Sequence, residues 1–261
     1  MFKRLLRGPA AIFVSSLIFL SLSAAAMPVA YADDGFYYLR PQPSFKIPEA
    51  PAPFAEERGS ASGYLSQVQL QINDFPPPPT AGSAQDNADL AAVLQWQKDR
   101  TDAQCAEAKA QADESFTSFF GGVSPFPLPL APEVDAFFKR AASDADNADR
   151  YIKNIYKRDR PFLRSAELNP CLGRAQGFSY PSGHAAISRV FGLILSDLLP
   201  RQGAIFMRAA DQVALNRVIG GVHYPSDIQA GKDLGGMIYG ELQKTPAFVS
   251  DMGALSKYFK H

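Results

Sequence analysis

Histidine is scarce in this chain: there are three among 261 residues, and His261 is the terminal one. Imidazole is the side chain that most readily exchanges a proton near neutral pH, so His184 and His223 are the internal candidates for proton chemistry. Cysteine is scarcer still. Cys105 and Cys171 leave two readings. One is a disulfide closing a long loop in an oxidising compartment, nominally worth about 4 kcal/mol. The other is a pair of buried thiols. Long apolar runs are missing as well. Residues 10–26 are mostly apolar but short for a spanning helix, and residues 190–199 are broken by Ser196 and Asp197 and closed by Pro200. No other stretch approaches the ~18 apolar residues that a membrane span needs.

Excess charge is also absent, with 26 Lys+Arg against 26 Asp+Glu. That balance gives no electrostatic footprint for nucleic acid. Several motifs fail to appear. There is no Gly-rich Walker loop. The stretch around Ser179 falls short of a serine nucleophile elbow, because Pro181 stands where the second glycine belongs. His223 and Asp227 lack the further His, Cys or carboxylate partners that a metal site would want. Two-residue alternation is confined to a weak hint at 64–72, which speaks against β-structure.

At the N-terminus, Lys3, Arg4 and Arg7 precede the apolar stretch, and Ala30-Tyr31-Ala32 supplies a small-x-small site. Residues 1–32 therefore read as a secretory signal peptide cleaved after Ala32. Its removal would leave 23 cations against 26 acids, a net charge of about −3. Residues 33–80 read as a Pro-rich extended segment packed on the core, with Pro76 to Pro79 as a rigid spacer. Residues 81–261 read as one helical domain. Ser83 or Asp86 could cap a first helix carrying Leu90, Leu94 and Gln97 on one face. An Ala-rich helical stretch follows and stops at Gly121-Gly122. Pro132 suits the first position of a long helix, whose Val134, Phe137, Phe138, Ala141, Ala145, Ala148, Ile152 and Ile155 mark a core face. Pro161 ends it near Asp159. Three more helices are expected: a central apolar one after Ser182, one over 203–217, and a last one from Ser226. The fold class is all-α.

The unusual residue choices cluster in three separated stretches. Lys153 and Arg160-Pro161 form the first, Pro181-Ser182-Gly183-His184 the second, and Arg217, His223 and Asp227 the third. A helix starting at Ser182 offers unpaired N–H groups and the positive end of its dipole, and Gly183 lets an oxyanion come close. Lys153 and Arg160, two turns apart, add two cations, and Arg217 adds a third. Together they suit a dianionic phosphoryl group. Pro225 forces Tyr224 extended and puts His223 in the loop before the last helix. From there Asp227 could bind one imidazole nitrogen and leave the other free to attack, with His184 protonating the leaving alcohol. Taken singly, each feature has a plainer reading. Lys153 alone is a solvated helix lysine, Arg160 and Arg217 are surface ion pairs, and Ser182 is a structural helix cap. Their order and spacing lift them.

The pattern Lys153-x6-Arg160-Pro161, Pro181-Ser182-Gly183-His184 and Arg217-x5-His223-x3-Asp227 resembles the signature of the type-2 phosphatidic acid phosphatase superfamily. That superfamily also includes vanadium haloperoxidases and bacterial non-specific acid phosphatases. The stretch GFSYPSGHA and the Pro-rich DFPPPPTAGS are similar to the class A acid phosphatases. The resemblance implies a helical bundle that hydrolyses a broad range of small-molecule phosphomonoesters without a metal or other cofactor. It implies a phosphohistidine on His223, oriented by Asp227, with His184 as acid. Lys153, Arg160, Arg217 and the Ser182-Gly183 backbone would hold the phosphate. Asn216 stands where the family usually has Ser, and Ala185 where class A members often have Thr. These departures bear on one phosphate hydrogen bond and on substrate preference. The protein is expected to be periplasmic or secreted, with no nucleic-acid partner and no stable membrane insertion; self-association and phosphotransfer to alcohols are left open. The rivals are a vanadium-dependent haloperoxidase and an inactive phosphate-binding protein on the same scaffold.

Overall fold

The computed structural model describes residues 62–259. The expected signal peptide and residues 33–61 of the Pro-rich segment lie outside them. Every regular element among the described residues is helical, as the absence of alternation implied. The hint at 64–72 resolves into a single turn, α1 (Gln67–Leu70).

The chain enters along the side of the long helix α5 (Pro132–Tyr156). The buried Asp144 carboxylate of α5 accepts the backbone N–H groups of Tyr64 at 2.8 Å and Leu65 at 3.2 Å. The Tyr156 and Tyr180 hydroxyls then donate to the carbonyls of Phe75 and Pro76. These side chains satisfy backbone groups that a proline-rich strand has no sheet to satisfy. Helix α2 (Ala84–Asp99) starts at Ser83, whose hydroxyl accepts the Asp86 N–H. The Ala-rich stretch divides in two, α3 (Asp102–Ala110) and α4 (Phe116–Phe120). The break at residues 111–115 was not anticipated. It falls where Ser115 caps α4 by accepting the Ser118 N–H, a local hydrogen bond that competes with helix continuation.

Helix α5 opens with Pro132 and buries the expected apolar face, with Ile155 partly buried at its end. It stops at Tyr156, three residues short of the expected Asp159. Lys157 adopts a left-handed conformation (φ 47°) and its N–H closes on the Lys153 carbonyl, an αL helix end on a residue other than glycine. The chain turns sharply there and passes through α6 (Pro161–Arg164), with Arg160 as its N-cap.

Helix α7 (Gly183–Leu198) is the central helix, flanked by α5, α8 (Gly203–Ile219) and α9 (Pro225–Leu242). Phe191 of α7 packs edge-on against Phe138 of α5, with ring centroids 5.1 Å apart, and Phe138 meets Phe116 of α4 at 4.2 Å. A helix that is apolar nearly all round is buried nearly all round. A tenth helix, α10 (Pro246–Leu255), and a terminal 3-10 turn follow, where the sequence reading stopped at α9. Phe248 of α10 seals the bundle between Phe137 and Tyr239. Cys105 of α3 and Cys171, 66 positions on, form a disulfide. It ties α3 to the loop before α7.

Helices α7 and α9 meet through glycine. A Cβ on Gly231 would lie 2.4 Å from the Ser182 carbonyl oxygen and 2.8 Å from Ala185 Cβ, and one on Gly235 would lie 2.5 Å from the Ala186 carbonyl oxygen. Ala185, at the position of the family's frequent Thr, is fully buried in this contact. Backbone carbonyls cannot retreat as side chains do, so the helices touch at a distance only glycine permits. Gly231→Ala is expected to lower unfolding free energy by about 1–3 kcal/mol. Gly236→Ala, where nothing lies within 4 Å, should gain up to about 1 kcal/mol from helix propensity. Urea denaturation of both variants checks the contrast.

Candidate active site

Three helix ends converge where α7 and α9 begin. The Ser182 N–H donates to the Asp227 carbonyl at 3.0 Å, joining the two N-termini backbone to backbone. The Ser182 hydroxyl accepts the Ala185 N–H at 3.4 Å and caps α7. The Ser182 N–H is thereby taken by Asp227, whereas its hydroxyl accepts from Ala185 and keeps its own hydrogen to donate. The free backbone donors at this end are the N–H groups of Gly183 and His184, the first two residues of the helix, which have no intrahelical acceptor.

His223 sits in the turn between α8 and α9, 3 % exposed. Tyr224 is extended and is the N-cap of α9, with Pro225 in the first turn, the arrangement Pro225 dictates. Nδ1 of His223 lies 3.4 Å from Oδ2 of Asp227 and Nε2 lies 3.2 Å from Nη1 of Arg160. A guanidinium only donates, so Nε2 carries the lone pair and Nδ1 the proton. Burial, then the charges of Arg160, Lys153 and Arg217, push the imidazole pKa well below its ordinary 6.5. Burial and these charges favour the neutral imidazole.

Asp227 is fully buried and both of its oxygens accept hydrogen bonds. Oδ2 accepts the Ser179 hydroxyl and the Tyr224 N–H (2.9 Å) as well as the imidazole, while Oδ1 takes Arg158 Nη1 at 2.7 Å. Burial pushes its carboxyl up to about 6 against the pull of Arg158 and these donors. Arg158 in turn bridges three acids. Its Nη2 lies 2.9 Å from both Asp86 and Asp89 of α2, and Tyr224 stacks beneath it with the ring centroid 4.0 Å away. Ser226, at the start of α9, donates both its N–H and its hydroxyl to Asp89. Arg158, Ser179, Asp86 and Asp89 were not foreseen as site residues. The spacing of Arg158 from Arg160 was visible, but its acidic partners lie about seventy positions away in sequence.

The expected cations do assemble here, although Lys153 and Arg160 do not share a helix, because α5 ends between them. Arg160 is clamped by the carbonyls of Gly177, Val222 and Gln176 at 2.9–3.0 Å. Lys153 is held by Asp149, one turn back on α5, at 2.7 and 2.8 Å, and by the Pro181 carbonyl. Burial pushes the Asp149 carboxyl up to about 6, with Lys153 opposing. Arg217 differs from both. It is 6 % exposed, and its Nε and Nη1 are buried with no hydrogen-bond partner. Burial takes its pKa down to about 10. A buried guanidinium with two idle donors costs stability unless something supplies acceptors.

His184 lies at the second position of α7. Its Nδ1 is 2.7 Å from Oε1 of Glu114 and its Nε2 is 3.2 Å from the carbonyls of Gln111 and Ala112. Burial lowers its pKa, and Glu114 works against that. Glu114, in the break between α3 and α4, was not singled out from the sequence; nothing in its local spacing marks it. Asn216 faces this break rather than the cation cluster. Its amide donates to Gln111 Oε1 at 2.8 Å and Glu107 Oε1 at 3.3 Å.

Among the described residues no helix is long and apolar enough to cross a membrane, and no group of three His, Cys, Asp or Glu side chains is placed to hold a metal ion.

Residues 145–244 match the PAP2 superfamily. The chain is 29 % identical over 199 residues to the non-specific acid phosphatase of Providencia stuartii, covering 71 % of this chain and 79 % of that one. It is 37 % identical over 103 residues to the non-specific acid phosphatase of Salmonella typhi, covering 37 % and 40 %. It is 30 % identical over 166 residues to an acid phosphatase of Zymomonas mobilis subsp. mobilis, covering 59 % and 62 %. It thus spans less than two thirds of the latter two proteins. Among solved structures, a transmembrane PAP2 type phosphatidylglycerolphosphate phosphatase from Bacillus subtilis matches with TM-score 0.47 and 18 % identity, over 63 % of this chain and 87 % of that one.

Removing Arg158 would leave Asp227, Asp86 and Asp89 buried around an empty place. Arg158→Leu is expected to cost about 3–5 kcal/mol near neutral pH, read by urea denaturation. Arg158→Lys keeps the charge without the fork and should lose less.

Proposed function

Taking residues 145–244 as a PAP2 superfamily domain, we propose that the protein is an exported phosphatase that hydrolyses a broad range of phosphomonoesters through a phosphohistidine on His223. The single observation that carries the reading is the buried His223 imidazole. Its lone pair is turned toward Arg160 and its proton toward Asp227. Beside it stand a guanidinium with idle donors and a helix N-terminus.

The chemistry follows from those positions. The phosphoryl group of the substrate sits against the Gly183 and His184 N–H groups, with Arg160, Arg217 and Lys153 neutralising its oxygens. Nε2 of His223 attacks phosphorus as the bond to the leaving oxygen breaks, and that oxygen takes a proton from His184. The alcohol departs and the phosphoryl group stays on His223. Asp227, paired with Arg158, orients the imidazole and faces the charge on Nδ1. Water then attacks the phosphohistidine and gives a proton back to His184, releasing inorganic phosphate and the free imidazole. An alcohol in place of water gives phosphotransfer by the same route. The charge of the anion is met by three fixed cations, so the proposed reaction calls for no metal, and activity should survive EDTA.

Two expectations test the roles. Rapid acid quenching with radiolabelled substrate should trap a phosphoenzyme that His223→Ala cannot form, with kcat down more than about a thousandfold. Label persisting in that variant excludes His223 as nucleophile. His184→Ala should lose about 10²–10⁴-fold on alkyl phosphates but far less on p-nitrophenyl phosphate, whose leaving group needs no proton.

The pH dependence has a definite sign. Activity requires neutral His223, so it rises with pH through the His223 pKa, and it requires protonated His184, so it falls through the His184 pKa. Both are lowered from 6.5, His223 strongly. The kcat/KM profile should therefore be a bell lying on the acidic side of 6.5. A profile still climbing above neutrality contradicts the assignment of these two groups.

A further inference from the structure

Glu114 is a carboxylate standing in a site built for an anion. Its Oε1 is 2.7 Å from Nδ1 of His184 and 3.3 Å from where a Cβ on Gly183 would lie. That is the helix end proposed to receive the phosphoryl group. Burial would raise its pKa, yet the hydrogen bond and charge of His184, with Lys153 and Arg217, hold it down at about 2. Its side chain remains a third exposed. It makes no hydrogen bond to Arg217, whose Nε and Nη1 stay idle.

The break that carries Glu114 is held along its length, the Ala112 carbonyl by His184 and the Asp113 carbonyl by the Ser118 hydroxyl. At one end Gln111 is tethered by the Asn216 amide, which Gln212 orients at 2.8 Å. At the other, Ser115 caps α4. The Gln111 and Ala112 carbonyls accept from Nε2 of His184, which fixes the ring with Nδ1 toward the pocket. The atom that must give its proton to the leaving oxygen is therefore the one Glu114 now holds.

We infer that Glu114 is an intramolecular competitor of the phosphoryl group: it occupies the His184 side of the anion site when the site is empty and is displaced when substrate binds. The inference rests on the phosphatase reading above. A phosphoryl group reaches His184 and the idle Arg217 nitrogens together, which one carboxylate cannot do, so substrate wins the exchange. The return of Glu114 to His184 then expels inorganic phosphate. The residue sets the balance between substrate affinity and product release.

The test is isothermal titration of the full mature protein with inorganic phosphate, and separately with orthovanadate, at the pH of maximal activity. Glu114→Gln removes the charge and keeps the shape. It should bind both anions at least about tenfold more tightly than the parent, and Glu114→Ala should do the same. In turnover of p-nitrophenyl phosphate, Glu114→Gln should show a lower KM, no rise in kcat and stronger product inhibition by phosphate. A residue that merely supports the fold would not tighten anion binding. If the parent binds phosphate and both variants bind it equally or more weakly, the competition is refuted and the phosphatase reading stands. If the parent neither binds phosphate nor hydrolyses phosphomonoesters, the phosphatase reading falls and takes the competition with it.

Discussion

Everything at the site hangs on how closely α7 and α9 approach. Gly231 and Gly235 let the backbone of α9 rest on the carbonyls of Ser182 and Ala186. That contact makes room for the Ser182 N–H to reach the Asp227 carbonyl. Two helix N-termini, each the positive end of a dipole, are thereby brought side by side; α7 keeps unpaired donors, while the first N–H groups of α9 go to Asp89 and the Tyr224 carbonyl. The arrangement is unfavourable for the bundle alone, since like partial charges face one another. It becomes favourable when an anion lies between them, so a single backbone contact produces both the cost and the binding capacity of the pocket.

The electrostatics of the pocket show a division of labour. Lys153 is held by Asp149, Arg160 is locked by carbonyls, and Arg158 is consumed by three aspartates. These charges are immobile and need no reorganisation when a ligand arrives. Arg217 alone among them is left with idle donors in the interior. The imidazole of His223 sits in the sum of these fields. Its basicity is suppressed by burial and by cations, while Asp227 preserves its orientation. Suppressed basicity and fixed geometry are what a nitrogen nucleophile needs in acid.

Local chemistry was legible in the sequence and distant chemistry was not. Pro132, the apolar face of α5, the Ser182 cap and the extended Tyr224 follow from residue type and spacing, and all appear where expected. The three motif stretches converge because each sits at a helix end, and helix ends can be read from prolines, glycines and caps. The end of α5 was misplaced because a left-handed Lys157 has no propensity signal; the turn is imposed by the burial of Arg158 and Arg160 beyond it. The partners of those arginines could not be found, since pairing across about seventy residues leaves no local periodicity. Glu114 was invisible for the same reason, in a break that the alanine-rich pattern concealed. Helix α10 begins at Pro246 after the three polar residues 243–245 and buries mainly Phe248 and Leu255, too sparse a pattern to mark an amphipathic face.

Asp86 and Asp89 have one more consequence. They belong to α2, well upstream of residues 145–244, yet they hold the arginine that holds Asp227. The stretch that carries the family likeness is therefore smaller than the physical unit that works. A recombinant fragment cut to that stretch would retain both internal histidines, Lys153, Arg160 and Arg217, and would still strand Arg158 with one acid where it now has three. Inheritance and mechanics draw different borders in this molecule. A graft of the site onto another scaffold would have to respect the mechanical border.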